Sequence, residues 1–518
     1  MKAFFIDCDE LAFAEAARSL QRERGWEVCF WTAGPELEDR VKSYFPAAVF
    51  QSNLAAARDI PPAELRGLVR RPPDAALLDA LAPHENPVLK MMDRMGDGAA
   101  FLLDERLDLY YRYLGYWQAV LDKFQPEVVV FSFAPHLVYD YIVYLLCRLR
   151  GIRTVMFEFI AAIPGFLFAQ EGFDLGISGV EDRYRNKLAH WDGGPVALSA
   201  PAQSYLDGIN RNYGEGSPWY IKSHQEKAAQ FNSAYTWKSL ASYLVHPGRA
   251  AELVTKARKY LFDPPPRNYF KVPGKRLDQA AFTGLAWRRD RERRRRHKER
   301  MARYYKSLAA EADLDRPYIL VALHFQPERT TAPLGGRYVD QLLMVRLLSR
   351  WLPTGWRLYI KEAPAYFFPH VTKQRARDRD FYDQIAALPN ADLVDPDMNI
   401  FTLVDHARAV ATVTGTVGWE ALMRGKPALV FGHAWYKGCD GAYWAAEEAS
   451  LRRALEEIQA GAKPREGKVR LFMQTLEEMS VGGCLLPRLR SRVDISDQEN
   501  ADRVMNAILH IAGSPGEI

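Results

Sequence analysis

The stretch Ala409 to Trp435, AVATVTGTVGWEALMRGKPALVFGHAW, admits few folds. It opens with a β-branched apolar run of strand length, Ala409 to Val413. Thr414-Gly415-Thr416 then turns the chain. Val417 to Arg424 reads as a helix, with Trp419 and Leu422 on one face and Glu420 and Arg424 four residues apart. Gly425 and Pro427 end it, and Ala428 to Phe431 is a second buried strand. The pattern predicts one βαβ unit. Gly415 lets the backbone come close to a ligand, and Thr414 and Thr416 can cap the helix. N–H groups at a helix N-terminus favour phosphate or carboxylate, and Glu420, one turn in, is placed to reach ribose hydroxyls. The same residues also suit a well-capped helix in a parallel sheet that binds nothing.

The rest of the chain repeats this rhythm twice. Lys2 to Ile6, Trp26 to Trp31, Ala48 to Phe50, Val128 to Phe133 and Thr154 to Phe159 read as strands. Helical patterns over Glu10 to Arg24, Pro35 to Tyr44, Leu102 to Phe124 and Leu137 to Leu149 separate them. Residues 54–100 are mixed and interrupted by Pro61, Pro62, Pro72 and Pro73. A second series has strands at Tyr318 to Leu323, Trp356 to Ile360 and Ala391 to Val394. Its helices are Tyr338 to Trp351, Thr372 to Leu388 and Ile400 to His406, with later helices over Tyr443 to Ala460, Val469 to Met479 and Asn500 to Ile511. Alternation of this kind predicts an α/β protein with parallel sheets covered by helices. With 518 residues the chain is too long for one core. The expected division is 1–170, a Rossmann-like domain, then 171–315, a helical or irregular insertion, then 316–518, a second Rossmann-like domain with C-terminal helices.

Composition excludes some classes. The net charge of +5 is no nucleic-acid signature, and no groove-reading motif is present. The five cysteines are scattered without a CxxC pair, so neither a disulfide framework nor a zinc site is expected, and no metal is. Met1 to Asp7 runs directly into a strand, and Val128 to Cys147 is broken by Pro135, His136 and Asp140. A cytoplasmic protein is expected, with any membrane contact peripheral. The basic run Arg288 to Arg300, RRDRERRRRHKER, reads either as a solvated helix face or as a surface for anionic lipid head groups at the inner membrane.

Three strand ends of the second series carry candidate ligand groups: His324-Phe325-Gln326-Pro327-Glu328, Lys361-Glu362-Ala363-Pro364 and Thr414-Gly415-Thr416. A lysine, a helix start and hydroxyls in one crevice suit a nucleotide phosphate. Residues 318 to 440 resemble the C-terminal half of the bacterial capsule polysaccharide biosynthesis family. The carriers are HFQPERTTAPLGG with its Gln-Pro pair, Lys-Glu-x-Pro after the next strand, and VTGTVGWEALMRGKPALVFGHAWY. The family comprises GT-B glycosyltransferases and includes Kdo transferases of capsule and lipopolysaccharide assembly. The resemblance implies a GT-B fold, two Rossmann-like domains facing a cleft, here with an additional helical region. It implies a nucleotide-sugar donor, typically CMP-Kdo, a glycan or lipid-linked glycan acceptor, retention at the anomeric carbon, and no cofactor. Donor-binding residues would be Gln326, Lys361, Thr414, Gly415, Thr416 and Glu420. Such proteins usually carry histidine where this chain has Ala363, so Lys361 or His370 would have to compensate. A UDP- or TDP-sugar transferase and a catalytically silent polysaccharide-binding subunit are the alternatives.

A retaining route can use an enzyme carboxylate as nucleophile. Glu158 ends a first-domain strand and is the candidate, with His136, after the preceding strand, as the proton acceptor. A helix-capping or salt-bridged Glu158 and a satisfied loop histidine are the plainer readings. Asp7-Cys8-Asp9 after the first strand resembles the nucleophile motif of haloacid-dehalogenase-type phosphatases, but Glu10-Leu11 does not fit it. Asp9 is expected to cap the first helix instead.

Overall fold

The computed structural model describes residues 1–95, 101–160, 163, 165–211, 284–326, 328–368 and 377–513. The first sheet contains β1 (Lys2–Ile6), β2 (Glu27–Ala33), β3 (Val49–Ser52), β4 (Val128–Phe131), β5 (Arg153–Phe159) and β6 (Leu167–Gln170). The second contains β7 (Tyr318–Ala322), β8 (Arg357–Lys361), β9 (Ala391–Leu393), β10 (Ala409–Thr412), β11 (Ala428–Val430) and β12 (Ala442–Trp444). The orders are β3-β2-β1-β4-β5-β6 and β12-β11-β10-β7-β8-β9. Read along the chain, both are the doubly wound order 3-2-1-4-5-6, so each domain is Rossmann-like. All pairings are parallel except that of β5 with β6.

Period-two alternation explains why these strands read as unbroken apolar runs. In β1, Phe4 and Ile6 enter the core on one face, while Ala3 and Phe5 enter the core on the other. In β7, Ile319 and Val321 pack with the helices of one face and Tyr318 and Leu320 with those of the other. Both faces are covered, so neither tolerates a polar stripe.

Four elements depart from the sequence reading. Tyr443 and Trp444 belong to β12, an edge strand on β11, and the helix starts later, at Glu448. β6 was not anticipated; four residues turning antiparallel on β5 carry too little pattern. The helix Ala75–Met91 forms despite Pro83 and Pro87, started by the Asp74 carboxylate on the N–H of Leu77 and held by buried Leu81, Val88 and Met91. The helix expected from Thr372 is described from Arg379, where Asp378 caps it; the preceding residues to 376 lie outside the described set.

Several segments tie the halves together. The helix Asp497–Ala512 returns to the first domain, where Val504 and Ile508 join Phe13 and Ala17. The helix Val180–His190 packs on Glu466–Met479. The basic helix Gly284–Leu308 places Met301 and Tyr305 in the second core. Among the described residues no helix is long and apolar enough to cross a membrane.

Candidate active site

In a doubly wound sheet the ligand crevice opens beyond the strand C-termini where the strand order reverses. Here the reversals fall between β1 and β4 and between β7 and β10. In the second sheet, His324 follows β7 and the Thr414-Gly415-Thr416 turn follows β10, so adjacent strands bring them together. The N–H of Thr414 donates to His324 Nε2 at 3.2 Å, and the Thr412 hydroxyl lies 3.0 Å from the same nitrogen. A backbone N–H can only donate, so Nε2 carries the lone pair and Nδ1 the proton, which faces the Glu328 carboxylate at 2.9 Å. Gln341 holds the His324 backbone from both sides. Gln326 is buried and donates to the Thr331 hydroxyl at 2.6 Å.

Gly415 is the N-cap of the helix Thr416–Met423. Its N–H donates to Thr412 Oγ1, and a Cβ there would sit 2.7 Å from that oxygen and 3.3 Å from His324 Cε1. The glycine is therefore needed for the protein's own packing, where the sequence alone points to a ligand. Thr414 uses its hydroxyl on the Thr330 carbonyl and does not cap the helix. Glu420 is 4% exposed and hydrogen-bonds to the Thr416 side chain. Burial pushes its carboxyl up to about 7, with Thr416 and Arg424 opposing.

Lys361 stands apart from this group. It ends β8, two strands or about 10 Å from β10 across the sheet. Its ammonium donates to the Pro396 carbonyl, and burial pushes it down to about 8 against the pull of Asp397 and Asp395. The expected convergence of all three strand ends thus holds for two of them.

The first sheet has its own cluster at its reversal. Asp7, directly after β1, has φ 58° and accepts from Asn53 at 2.7 Å and Ser132 at 3.3 Å. Burial, with Asp140 and Asp9 nearby, raises its carboxyl well above the usual range. Asp9 does not cap the first helix; it accepts from the N–H of Gly34 and from Asn53, and Glu10 occupies the N-cap. His136 lies in the loop after β4, with Nδ1 3.2 Å from the Ala134 carbonyl. Ligand atoms of Asp7, His136 and Asp140 lie within 4.8 Å of one another, close enough to share a cation. Asp140, however, already accepts three backbone N–H groups, from His136, Leu137 and Tyr141. That role marks it as the brace of the loop carrying His136.

The two clusters meet across the cleft. Glu158, the next-to-last residue of β5, has a side chain 14% exposed and lies 3.9 Å from a guanidinium nitrogen of Arg329, in the loop after β7. Burial raises the Glu158 carboxyl, with Arg329 and the N–H of Phe159 opposing. Arg94, near Asp140 and Glu328, donates to the Ala332 carbonyl of the second domain. Asp7, His136, Glu158, Arg94, Arg329, Glu328 and His324 thus form one run of neighbours linking the two domains. Sequence reasoning named only Glu158 and His136 for catalysis. Arg329 and His324 lay inside a quoted motif, but which strand end they face is a tertiary fact.

Residues 283–457 match a family model described as capsule polysaccharide biosynthesis protein. The matched residues span the basic helix and all six strands of the second sheet. No curated protein matches the chain. Solved structures with similar chains include a UDP-GlcNAc 2-epimerase of Neisseria meningitidis bound to UDP-GlcNAc, 12% identical, TM-score 0.20, covering 99% of each chain. They also include a spinosyn rhamnosyltransferase complexed with spinosyn aglycone, 12% identical, TM-score 0.22, covering 92% of this chain and 96% of that one.

Within the matched residues, Ala363 stands where the resemblance calls for histidine. Its N–H donates to the carboxylate of Glu362, which is fully buried and paired with Arg377. Arg377 also donates to the His324 carbonyl at 2.7 Å, so it braces the loop leading to the Gln-Pro pair. His370 lies outside the described residues.

Proposed function

We propose that the protein is a retaining glycosyltransferase of surface polysaccharide synthesis, with the sugar nucleotide on the second domain and the glycan acceptor on the first. The observation that carries this reading is Glu158 across the cleft from Arg329, between the reversal points of two Rossmann-like sheets. A carboxylate there reaches a sugar whose nucleotide lies over Gln326, Thr414, Gly415, Thr416 and Glu420. Among the described residues nothing accepts from the N–H groups of Thr416 and Val417, so both remain for a phosphate. Lys361 adds positive charge at the end of β8, two strands from that turn and without touching it.

In the proposed sequence the Glu158 carboxylate attacks the anomeric carbon as the nucleotide leaves with the bonding electron pair. The resulting glycosyl ester is then displaced by an acceptor hydroxyl, whose proton passes to His136, and Glu158 is released as carboxylate. With Nδ1–H donated to the Ala134 carbonyl, the neutral His136 ring carries its lone pair on Nε2. The donor proposed is a CMP-activated ulosonic acid, on the strength of the His324 to Gly336 and Val413 to Tyr436 motifs. The acceptor proposed is lipid-linked, at the inner face of a membrane, with the basic helix resting on anionic head groups.

Glu158→Gln keeps the shape and removes the charge. It should leave nucleotide binding intact and lower turnover roughly 10³-fold or more. Mass spectrometry of the wild-type enzyme quenched with donor should find the sugar on the peptide containing Glu158. Near-normal transfer by the variant, or a sugar on another carboxylate, rejects the role. Thermal shift with CMP, UDP and TDP tests the donor class, since a ligand of the native state raises its melting temperature. A rise with UDP or TDP alone would move the donor assignment. Donor that is never hydrolysed would favour a silent subunit.

A further inference from the structure

Arg329 follows the Gln-Pro-Glu segment of the second domain, yet its side chain is housed by the first. Its guanidinium carbon lies 5.2 Å from the Phe133 ring centroid and 5.1 Å from that of Phe159. Those rings stand edge to face, 5.2 Å apart, at the ends of β4 and β5. A guanidinium is weakly hydrated and stacks on aromatic faces, so this corner holds a positive charge that an ammonium would hold less well. The side chain is only 22% exposed.

The contact with Glu158 is deliberately incomplete in its geometry. At 3.9 Å it is a long ion pair to Oε1, which also accepts the N–H of Phe159 at 3.0 Å. Among the described residues nothing binds Oε2. A bidentate pair would occupy both oxygens and quench the carboxylate as a nucleophile. Here one oxygen is held by a charge and a backbone donor, and the other is left for the cleft.

We infer that Arg329 is a positioning residue, carried across the cleft and clamped by Phe133 and Phe159, that keeps Glu158 ionised and aimed when the two domains meet. The inference rests on the reading of Glu158 as the reacting carboxylate. It adds a cause for the two domains to act together, because the carboxylate of one is completed by a residue of the other. Among the described residues Arg329 is the charged group acting on Glu158, and the same arginine also acts on the buried Arg94.

The test titrates Glu158 directly in the full-length chain. With glutamate labelled at the carboxyl carbon, the resonance missing from Glu158→Gln identifies Glu158. Its midpoint should move to higher pH in Arg329→Gln and return towards the wild-type position in Arg329→Lys. Phe133→Leu removes one wall and keeps the charge, and its midpoint should move in the same direction as that of Arg329→Gln. It is the deciding protein if Arg329→Gln does not fold. A midpoint unchanged by loss of the arginine or of the wall overturns the inference, as does a lysine variant indistinguishable from the glutamine one. Turnover of Glu158→Gln is read separately. Normal turnover removes the catalytic reading of Glu158, while the midpoints still decide whether Arg329 sets its charge.

Discussion

Glu420 joins a buried carboxyl to a proposed donor contact, and the two roles separate by pH. Its ordinary midpoint is 4.5 and burial in the fold raises it to about 7. A carboxyl raised on folding favours the folded state fully below its unfolded midpoint. That contribution is lost as pH rises from about 4.5 towards about 7. Glu420→Gln removes the charge and the titration. The variant should melt near wild type at pH 4 and above it at pH 8, by on the order of 3 kcal/mol at most. The same change should weaken nucleotide binding if Glu420 meets the ribose. Gly415 behaves differently from its expectation as a ligand-facing glycine. Gly415→Ala should cost roughly 1–3 kcal/mol in denaturant unfolding, because its Cβ meets Thr412 and His324. Removing the obstructing hydroxyl with Thr412→Ala in the same chain should recover part of the loss.

At the scale of the element, the basic helix has two faces with different duties. Lys298 is buried with its ammonium 5.6 Å from the Tyr366 ring centroid, and Met301 and Tyr305 are buried beside it. Arg295 is tied to Glu292 and Glu299, and hydrogen bonds from Arg295 and Arg296 hold the Glu292 carboxyl down to about 2. Among the described side chains of the run the exposed arginines are Arg289, Arg293, Arg296, Arg300 and Arg303, whose spacing of four, three, four and three makes one stripe opposite the buried residues. Charge counting along the run finds the arginines; only burial says which face water. Changing Arg293, Arg296, Arg300 and Arg303 to Gln should reduce sedimentation with anionic liposomes by about 1 kcal/mol per arginine at low salt, and much less at high salt. Equal sedimentation of both proteins would leave the stripe as a solvated face.

The whole molecule is closed by its last helix. Asp497–Ala512 lies against Leu11–Arg24 of the first domain, with Val504 and Ile508 fully buried, although the chain between them has built the entire second sheet. Ile508→Ala should therefore destabilise by about 2–5 kcal/mol, read by denaturant unfolding, with the loss reported by the aromatic signal of Trp26 and Trp31 in the same core. A loss confined to a frayed C-terminus would mean that the helix does not brace the first domain.

The α/β class, the two parallel sheets and the turn after β10 were legible in the chain, because apolar period and glycine punctuation are local signals. β1 and the helix Ile400–His406 end where the pattern predicts. What the sequence could not settle is which strand ends become neighbours. Lys361, Gln326 and Thr414 look equivalent in a list of strand termini. The order β10-β7-β8 joins His324 to the turn and leaves Lys361 a strand further out, bound to Pro396. Likewise nothing local to Arg329 says that its partner is Glu158, far away in sequence. A side chain's chemistry is written in the residue, whereas its partner is set by how two sheets pack, through contacts distant in the chain.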